Sequence, residues 1–295
     1  MKKIFLFISL AGILVSCKSN NEYDATGIFE ATTVTVSAET SGKIVSLDIR
    51  EGDSITTGKT VGAIDTTALV LRRKQLQSQM ASVESSRPDV AKQIASLQQQ
   101  IAQQRTECRR IDNLLKDGAA TQKQADDVEA MLKILNGQLA ATLSTLNKNT
   151  SSISENALSI NYQIQQIDDQ IEKSRIVAPI TGTVLTKYAE PQEFAATGRQ
   201  LFKVADMHDV YLRAYFTSSQ IASLRIGQQV TVVADFGGDE HYEYPGKITW
   251  IAQESEFTPK SIQTNDSRAD LVYAVKISVR NDGRLKLGLY GGVRL

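Results

Sequence analysis

The sequence has few of the residues on which most catalytic and metal sites depend. Its 295 residues include two cysteines and two histidines, so a four-ligand zinc site would need all four, or carboxylates in their place. The 33 Lys and Arg residues balance 33 Asp and Glu residues, which argues against a nucleic-acid binder, because such proteins carry a basic excess. Aromatic residues make up only 6%, which indicates that much of the chain lies outside a thick globular core.

Catalytic motifs are also missing. The chain contains no GxSxG, HExxH or CxxC motif, so we predict a protein that is not an enzyme, with no catalytic residue, metal or cofactor. His208 lies between Asp206 and Asp209 and could form a weak metal site, but an exposed histidine is the favoured interpretation. The segment 52–60 is one residue too long for a phosphate-binding loop and precedes a strand-like run, so a β turn is predicted.

The N-terminus carries the chain's one long apolar run. The twelve residues Ile4–Val15 follow two lysines, and a membrane-spanning helix needs about 20 such residues, so residues 1–17 are predicted to be a signal peptide. The run ends in Leu14-Val15-Ser16-Cys17, which resembles the bacterial lipobox and implies cleavage and a lipid anchor at Cys17. The alternative is an ordinary secretory signal that contains a cysteine.

Residues 66–174 are predicted to form a long helical hairpin. Apolar residues recur at alternating spacings of three and four, which is typical of a coiled coil. The first arm carries Leu69, Leu76, Met80, Val83, Val90, Ile94, Leu97, Ile101, Cys108, Ile111 and Leu115. The second arm carries Val128, Leu132, Leu135, Leu139, Leu143, Leu146, Ile153, Ala157, Ile160, Ile164, Ile167 and Ile171. Only Arg73, Arg87 and Gln104 interrupt the first stripe.

The hairpin is predicted to reverse near Gly118, with its tip at residues 116–121. In an antiparallel hairpin the numbers of two facing residues add up to a constant, and a single reversal point satisfies this along both arms. The pairs that sum to 236 include Leu76 with Ile160, Ile101 with Leu135, and Cys108 with Val128. Cys108 has no intramolecular disulfide partner if Cys17 is acylated, and we expect it to pack as an apolar residue. Pro88 predicts a kink or a restart of the helix.

The segments that flank the hairpin repeat each other. An offset of 140 residues superimposes 38–65 on 178–206, and both read as short β segments separated by glycine turns. The matched pairs are Ala38 with Ala178, Gly42 with Gly182, Gly58 with Gly198, and Ile64 with Val204. The two segments are therefore predicted to be halves of one β unit with a shared core.

Residues 207–295 are predicted to form a small β-barrel. The expected strands are Asp209–Thr217, Gln229–Phe236, Tyr244–Ala252, Leu271–Val279 and Gly292–Leu295. Ser218 is expected to cap a short helix, Ser219–Ile226, which Gly227 ends.

A split β unit with a coiled coil in the gap resembles the HlyD-like membrane fusion proteins, the periplasmic adaptors of efflux and secretion systems. The resemblance implies an α+β fold, with an antiparallel coiled-coil hairpin inserted in a lipoyl/biotinyl-like domain and a small β-barrel after it. The predicted divisions are 1–17 signal peptide, 18–37 linker or strand, 38–65 first lipoyl-like half, 66–174 hairpin, 175–206 second half, and 207–295 barrel. A membrane-proximal domain is expected to be absent or minimal, and since the hairpin occupies the turn where carrier domains present a lysine, a carrier role is disfavoured.

The hairpin tip resembles the adaptors' Arg-x3-Leu-x6-Ser pattern, with Arg110, Leu114 and Thr121 in the three positions. The resemblance implies that these residues contact a TolC-like outer-membrane channel. Arg110 would offer a planar fork of donors, Leu114 an exposed apolar knob, and Thr121 a hydroxyl. The alternative is that Arg110 is a solvated residue, Leu114 belongs to the seam, and Thr121 is an N-cap.

The resemblance further implies a lipid-anchored adaptor in the periplasm of a Gram-negative bacterium, with the inner membrane favoured. Several copies, expected to be six, would form a ring on an inner-membrane ABC-type exporter, a branch favoured by the run Glu256–Lys260 that leads to Leu271–Tyr273. Glu190, Gln192 and Glu193, on a turn of the second half, are predicted to line the conduit. The alternative function is a structural lipoprotein whose hairpin spaces the envelope without transport.

Overall fold

The computed structural model describes residues 23–237, 241–257 and 271–295. The predicted signal peptide and the lipid anchor at Cys17 lie outside these residues. The described chain consists of a helical hairpin, a split β unit at the base of the hairpin, and a β-barrel. The predicted fold class is confirmed.

Three helices form the hairpin: α1 (Thr67–Ser85), α2 (Val90–Lys116) and α3 (Gln122–Lys173). The break between α1 and α2 contains Pro88, and the predicted restart is confirmed. The side chain of Asp89 begins α2 by accepting the N–H of Lys92 at 3.1 Å, which satisfies a donor that the first helical turn cannot pair internally.

The hairpin seam follows the predicted register. The residues buried along it are Leu76, Ile94, Ile101, Leu135, Leu146, Ala157, Ile160 and Ile164. Leu76 packs with Ile160 in one cluster, and the Sγ atom of Cys108 lies 3.4 Å from the carbonyl oxygen of Val128. These contacts join residues whose numbers sum to 236, and the prediction that Cys108 packs in the seam is confirmed.

The polar residues that interrupt the seam all bond across to α3. Arg73 donates to Asp168 at 3.0 Å, and Arg87 donates to Ser154 at 3.2 Å. Gln104 donates to the carbonyl oxygen of Val128 at 3.0 Å. Arg73 and Gln104 are half-buried and need their partners, so their bonds disfavour a slip between the arms, whereas Arg87 is exposed and its bond contributes less.

The split β unit combines strands from both sides of the hairpin. Its first half supplies β1 (Ala25–Ser37), β2 (Gly42–Leu47), β3 (Ser54–Ile55) and β4 (Thr60–Ile64). Its second half supplies β5 (Arg175–Val177), β6 (Gly182–Lys187), β7 (Phe194–Ala195) and β8 (Gln200–Thr217). The halves exchange strands, since β2 pairs with β7 and β3 pairs with β6. One core of fifteen buried residues draws on both halves, so neither has a complete core alone.

The remaining strands close a six-stranded barrel. They are β9 (Gln229–Asp235), β10 (His241–Ile251), β12 (Leu271–Arg280) and β13 (Tyr290–Arg294), and a short β11 (Glu256–Phe257) pairs with the start of β12. The barrel runs β12-β10-β9-β13-β1-β8 and closes through the pairing of β8 with β12. Its interior is filled by fully buried side chains that include Phe29, Phe216, Leu212, Ile248, Ile277 and Leu285.

The helix expected at Ser219–Ile226 is shorter and begins earlier. The structure has α4 at Ser218–Ile221, and Thr217 rather than Ser218 is its N-cap. The N–H of Thr217 donates to the Gln220 side chain at 2.9 Å, which fixes this earlier start. The helix ends early because Leu224 turns into the barrel core, where it is 7% exposed.

Candidate channel-contact and conduit surfaces

The hairpin reverses in a turn that the backbone closes on itself. The N–H of Ala119 donates to the carbonyl oxygen of Leu114 at 2.7 Å, and the N–H of Gly118 donates to that of Leu115 at 3.1 Å. Gly118 has φ +72°, a left-handed conformation that a residue with a Cβ adopts at a cost. This pair of bonds satisfies carbonyls at the end of α2 and makes the tip a defined structure.

Arg110 lies on the last turns of α2 and is held by a neighbour. Its Nε and Nη2 atoms donate to the two carboxylate oxygens of Glu107 at 3.0 and 2.6 Å. These hydrogen bonds lower the pKa of Glu107 and raise that of Arg110. The Arg110 side chain is still 66% exposed, so the pair presents an oriented guanidinium at the surface.

Leu114 and Thr121 flank the turn in different roles. Leu114 is half-buried, so it presents only part of the apolar side chain that was expected to be exposed, and its role in channel contact stays a prediction. Thr121 is the N-cap of α3: its Oγ1 accepts the N–H of Gln124 at 3.3 Å, and its own N–H donates to the Gln124 side chain at 2.8 Å. This reciprocal arrangement is a capping box, and the N-cap interpretation of Thr121 is confirmed.

The conduit turn, defined as residues 190–193, lies between β6 and β7. Its backbone pairs with the other half of the β unit, since Gln192 N–H donates to the carbonyl oxygen of Ile44 and Ile44 N–H to that of Glu193, both at 2.8 Å. Lys187 binds Glu190 at 2.7 Å, and Arg199 binds Glu193. The three predicted lining residues are therefore together on one exposed turn, with both carboxylates already paired.

Gln192 has an unusual backbone conformation. Its φ is +78°, and it is the one residue other than glycine with a positive φ in the described part of the chain. The repeat places Gly52 at the equivalent position, with φ +92°, so the fold requires a left-handed residue in both halves. A non-glycine residue that the surroundings hold in this region is strained, and such strain is concentrated at functional positions.

His208 is 63% exposed, and the described residues contain no group of three metal-ligating side chains. Residues 52–60, predicted to be a β turn, contain turns at Gly52 and Gly58, the short strand β3 between them, and the first residue of β4. Of the run Glu256–Lys260, residues 258–260 lie outside the description, and Glu256 binds Arg213 at 2.7 Å. Within the described ranges the hairpin helices are too polar, and α4 too short, to cross a bilayer.

Sequence reasoning missed the partners of the predicted residues. Glu107 lies three positions before Arg110, and this spacing on a helix could have revealed the pair. Arg199 gave no comparable signal, because its contact with Glu193 depends on the shape of the conduit turn.

A family model assigns the chain. Residues 32–207, more than half of the sequence, match the model of the barrel-sandwich hybrid domain of RND membrane fusion proteins. The chain belongs to the membrane fusion protein family. The members of this family are adaptors of efflux systems, and the matched segment contains the whole hairpin, strands β2 to β7 and the adjoining parts of β1 and β8.

Curated relatives extend this similarity over most of the chain. A UPF0194 membrane protein of Yersinia pseudotuberculosis serotype O:3 is 28% identical over 292 residues, which cover 91% of this chain and 88% of that protein. A UPF0194 membrane protein of Yersinia enterocolitica is 27% identical over 328 residues, which cover 99% and 98%.

Solved membrane fusion proteins share the fold. MacA from Actinobacillus actinomycetemcomitans superimposes with a TM-score of 0.58 at 20% identity, covering 91% of this chain and 76% of that one. A MacA-MexA chimera, which contains the Pseudomonas aeruginosa MexA α-hairpin domain, gives 0.56 at 21% identity and covers 90% and 75%. At this identity the likeness shows the common architecture.

Proposed function

We propose that this membrane fusion protein is a lipid-anchored periplasmic adaptor that oligomerises and joins an inner-membrane ABC-type exporter to a TolC-like outer-membrane channel. The single observation that carries the proposal is the hairpin. The 52 residues of α3 correspond to about 78 Å at 1.5 Å per residue, long enough to bridge much of an envelope compartment. The described hairpin ends in an ordered turn with an oriented cation, which is suited to contact with another protein.

The tip contact is proposed to involve Arg110, Leu114 and Thr121. Pairing with Glu107 limits the rotamers of Arg110, so less side-chain entropy is lost when it binds a carbonyl or carboxylate of a channel. Leu114 would contribute through the part of its side chain that remains accessible. Thr121 would act mainly by starting α3 in the correct direction.

A double substitution at the tip tests the proposal. Arg110→Glu with Leu114→Asp should abolish export of the partner system's substrate and leave the helical circular-dichroism signal intact, because neither residue is among the buried residues of the hairpin seam. Arg72→Glu, an equally exposed charge reversal near the hairpin base, is the matched control and should export normally. Unchanged export in the double variant would overturn the tip assignment and favour the envelope-spacing function.

The conduit lining is proposed for the turn that contains Glu190, Gln192 and Glu193. The argument is the asymmetry of the repeat: one half has glycine where the fold requires a left-handed residue, and the other half keeps a polar side chain there. Maintaining that strain favours a role for the amide of Gln192, and a ring of such amides would border a polar passage.

The lipid anchor and the transporter class have their own tests. Replacing Cys17 with Ala should move the protein out of the membrane fraction, and retention there would contradict the anchor.

The ABC branch rests on the sequence run near Glu256, whereas the matched family model is named for RND proteins. Export that stops when ATP is depleted with the proton gradient maintained would support the ABC assignment, and the reverse result would refute it.

A further inference from the structure

The barrel has a basal end, defined by the strand ends at Ala25, Thr217, Gln229, Ile251, Leu271 and Arg294. The antiparallel order of the six strands places all of these at one end. At the opposite end, β1 and β8 continue into the split β unit from which the hairpin projects. The basal end is therefore the end of the barrel opposite the split β unit and the hairpin.

Large apolar side chains are exposed at this end. Phe257 is 74% exposed, Leu271 is 50% exposed, and the two are paired neighbours across β11 and β12. Ile226, in the connection from α4 to β9, is 68% exposed, and Leu295 beside the start of β1 is 49% exposed. Leu224 is buried in the barrel core and Ile221 packs against it, whereas none of these four residues belongs to that core in the described part of the chain.

The N-terminal segment enters the described chain at this same end. Tyr23 and Asp24 precede β1, and the Asp24 N–H donates to the carbonyl oxygen of Val293 at 2.8 Å. Cys17 is six residues before Tyr23, a distance that an extended chain covers in about 21 Å at most. A lipid on Cys17 would therefore keep the basal end close to the membrane surface.

We propose that the basal end docks on the lipid bilayer, with Phe257, Leu271 and Ile226 in the interface between head groups and acyl chains. This inference rests on the lipid anchor of the proposed function. The tether makes the contact effectively intramolecular, so a modest apolar patch is sufficient. Apolar side chains at such a surface enter about 5–10 Å into the head-group boundary. Arg225, exposed next to Ile226, is placed to meet lipid phosphates.

The sole tryptophan of the chain makes the contact measurable. In a Trp250→Phe background, Phe257→Trp places the only tryptophan in the proposed contact. The acylated full chain is purified and reconstituted in phosphatidylglycerol and phosphatidylcholine vesicles whose acyl chains are brominated near the head group. Contact predicts blue-shifted emission and about twofold quenching relative to unbrominated vesicles, because the introduced side chain lies at the acyl boundary. Ile226→Trp in the same background is a second reporter if the first variant folds poorly.

Leu71→Trp in the same background is the matched control, since Leu71 is 62% exposed on α1 and lies on the hairpin. It should float with the vesicles and show no bromine quenching. Flotation without quenching at residues 257 and 226 overturns the docking but keeps the anchor, whereas failure to float overturns both. Blue-shifted emission without bromine quenching means that protein, a second copy of this chain, covers the surface, which also contradicts the proposal.

Discussion

The two halves of the split β unit have equivalent strands and turns but carry different side chains at matching positions. Shifted by 140 residues, β2 falls on β6, β3 on β7, and β4 on the start of β8. Their cross-bonds match as well: Gly52 N–H bonds Val184 in one direction, and Gln192 N–H bonds Ile44 in the other, each at 2.8 Å. The repeat therefore fixes the geometry, and the residues that break its symmetry mark where the halves have separate tasks.

The asymmetry has a structural and a functional part. Phe202, fully buried on β8, corresponds to Gly62 on β4, so the second half supplies bulk where the first supplies none. At the turn the second half is the less stable of the two, because Gln192 is strained in the left-handed conformation that Gly52 adopts without strain. The second half provides both the core filling and the candidate lining.

The largest expected effect is at Phe202. Phe202→Ala removes a fully buried ring from the shared core, and we expect a loss of about 3–5 kcal/mol in the free energy of unfolding. Urea titration of the purified chain, followed by circular dichroism, measures it. A loss below about 1 kcal/mol would mean that the core rearranges around the void and that the halves are less interdependent than their pairing indicates.

The next prediction compares Gly182 with its repeat partner Gly42. A Cβ on Gly182 would overlap the carbonyl oxygen of Ala205, which is backbone and cannot yield, whereas one on Gly42 would lie 2.7 Å from the terminal Cγ2 of Ile64. We expect Gly182→Ala to cost about 3 kcal/mol and Gly42→Ala about 1 kcal/mol. Equal shifts of the calorimetric midpoint would contradict this difference.

Exchanging the turn residues should move stability in opposite directions. Gln192→Gly relieves the left-handed strain and should stabilise by about 0.5–1 kcal/mol after the flexibility of glycine is counted. Gly52→Gln should destabilise by a similar amount, since open space surrounds its Cβ position and only strain is added. If the turn lines the conduit, only Gln192→Gly should also alter export, and the two measurements together separate strain from function.

The smallest difference is expected at the next pair of turns. Gly58 and Gly198 have φ +78° and +86°, and a Cβ on either would meet nothing within 4 Å. Gly58→Ala and Gly198→Ala should therefore each lose about 1 kcal/mol, and by the same amount within error. A clear difference in thermal midpoint would show that the repeat is less symmetric in energy than in shape.

The hairpin was more predictable from sequence than the β parts. Its contacts are periodic, so a stripe of apolar residues predicts both the helices and the register, including the contact between Cys108 and Val128 that the structure shows. The 140-residue offset predicted which residues correspond. It did not predict that β2 pairs with β7 across the halves, because strand partners depend on long-range closure rather than on local pattern.

The candidate site was partly predictable for the same reason. The Thr121 cap follows from local sequence, whereas the partial burial of Leu114 depends on contacts that its local sequence does not specify. The left-handed conformation of Gln192 could have been inferred only from the repeat, because Gln192 corresponds to Gly52 and a glycine at a turn indicates a positive φ.

Strands β1 and β8 run through both the barrel and the split β unit and pair with each other in both. Their ladder has two register shifts, one between Ala31 and Thr33, at the border of the barrel and the split β unit, and one between Val36 and Ser37. The barrel and the split β unit therefore share a two-stranded ladder. At its first shift four residues of β8, 206–209, lie opposite one residue of β1, and extra residues of this kind bend a ladder without ending it. A tilt of the barrel would pass through this ladder to the split β unit and so to the base of the hairpin. Because the hairpin is long, a small rotation at its base would displace its tip by a large distance.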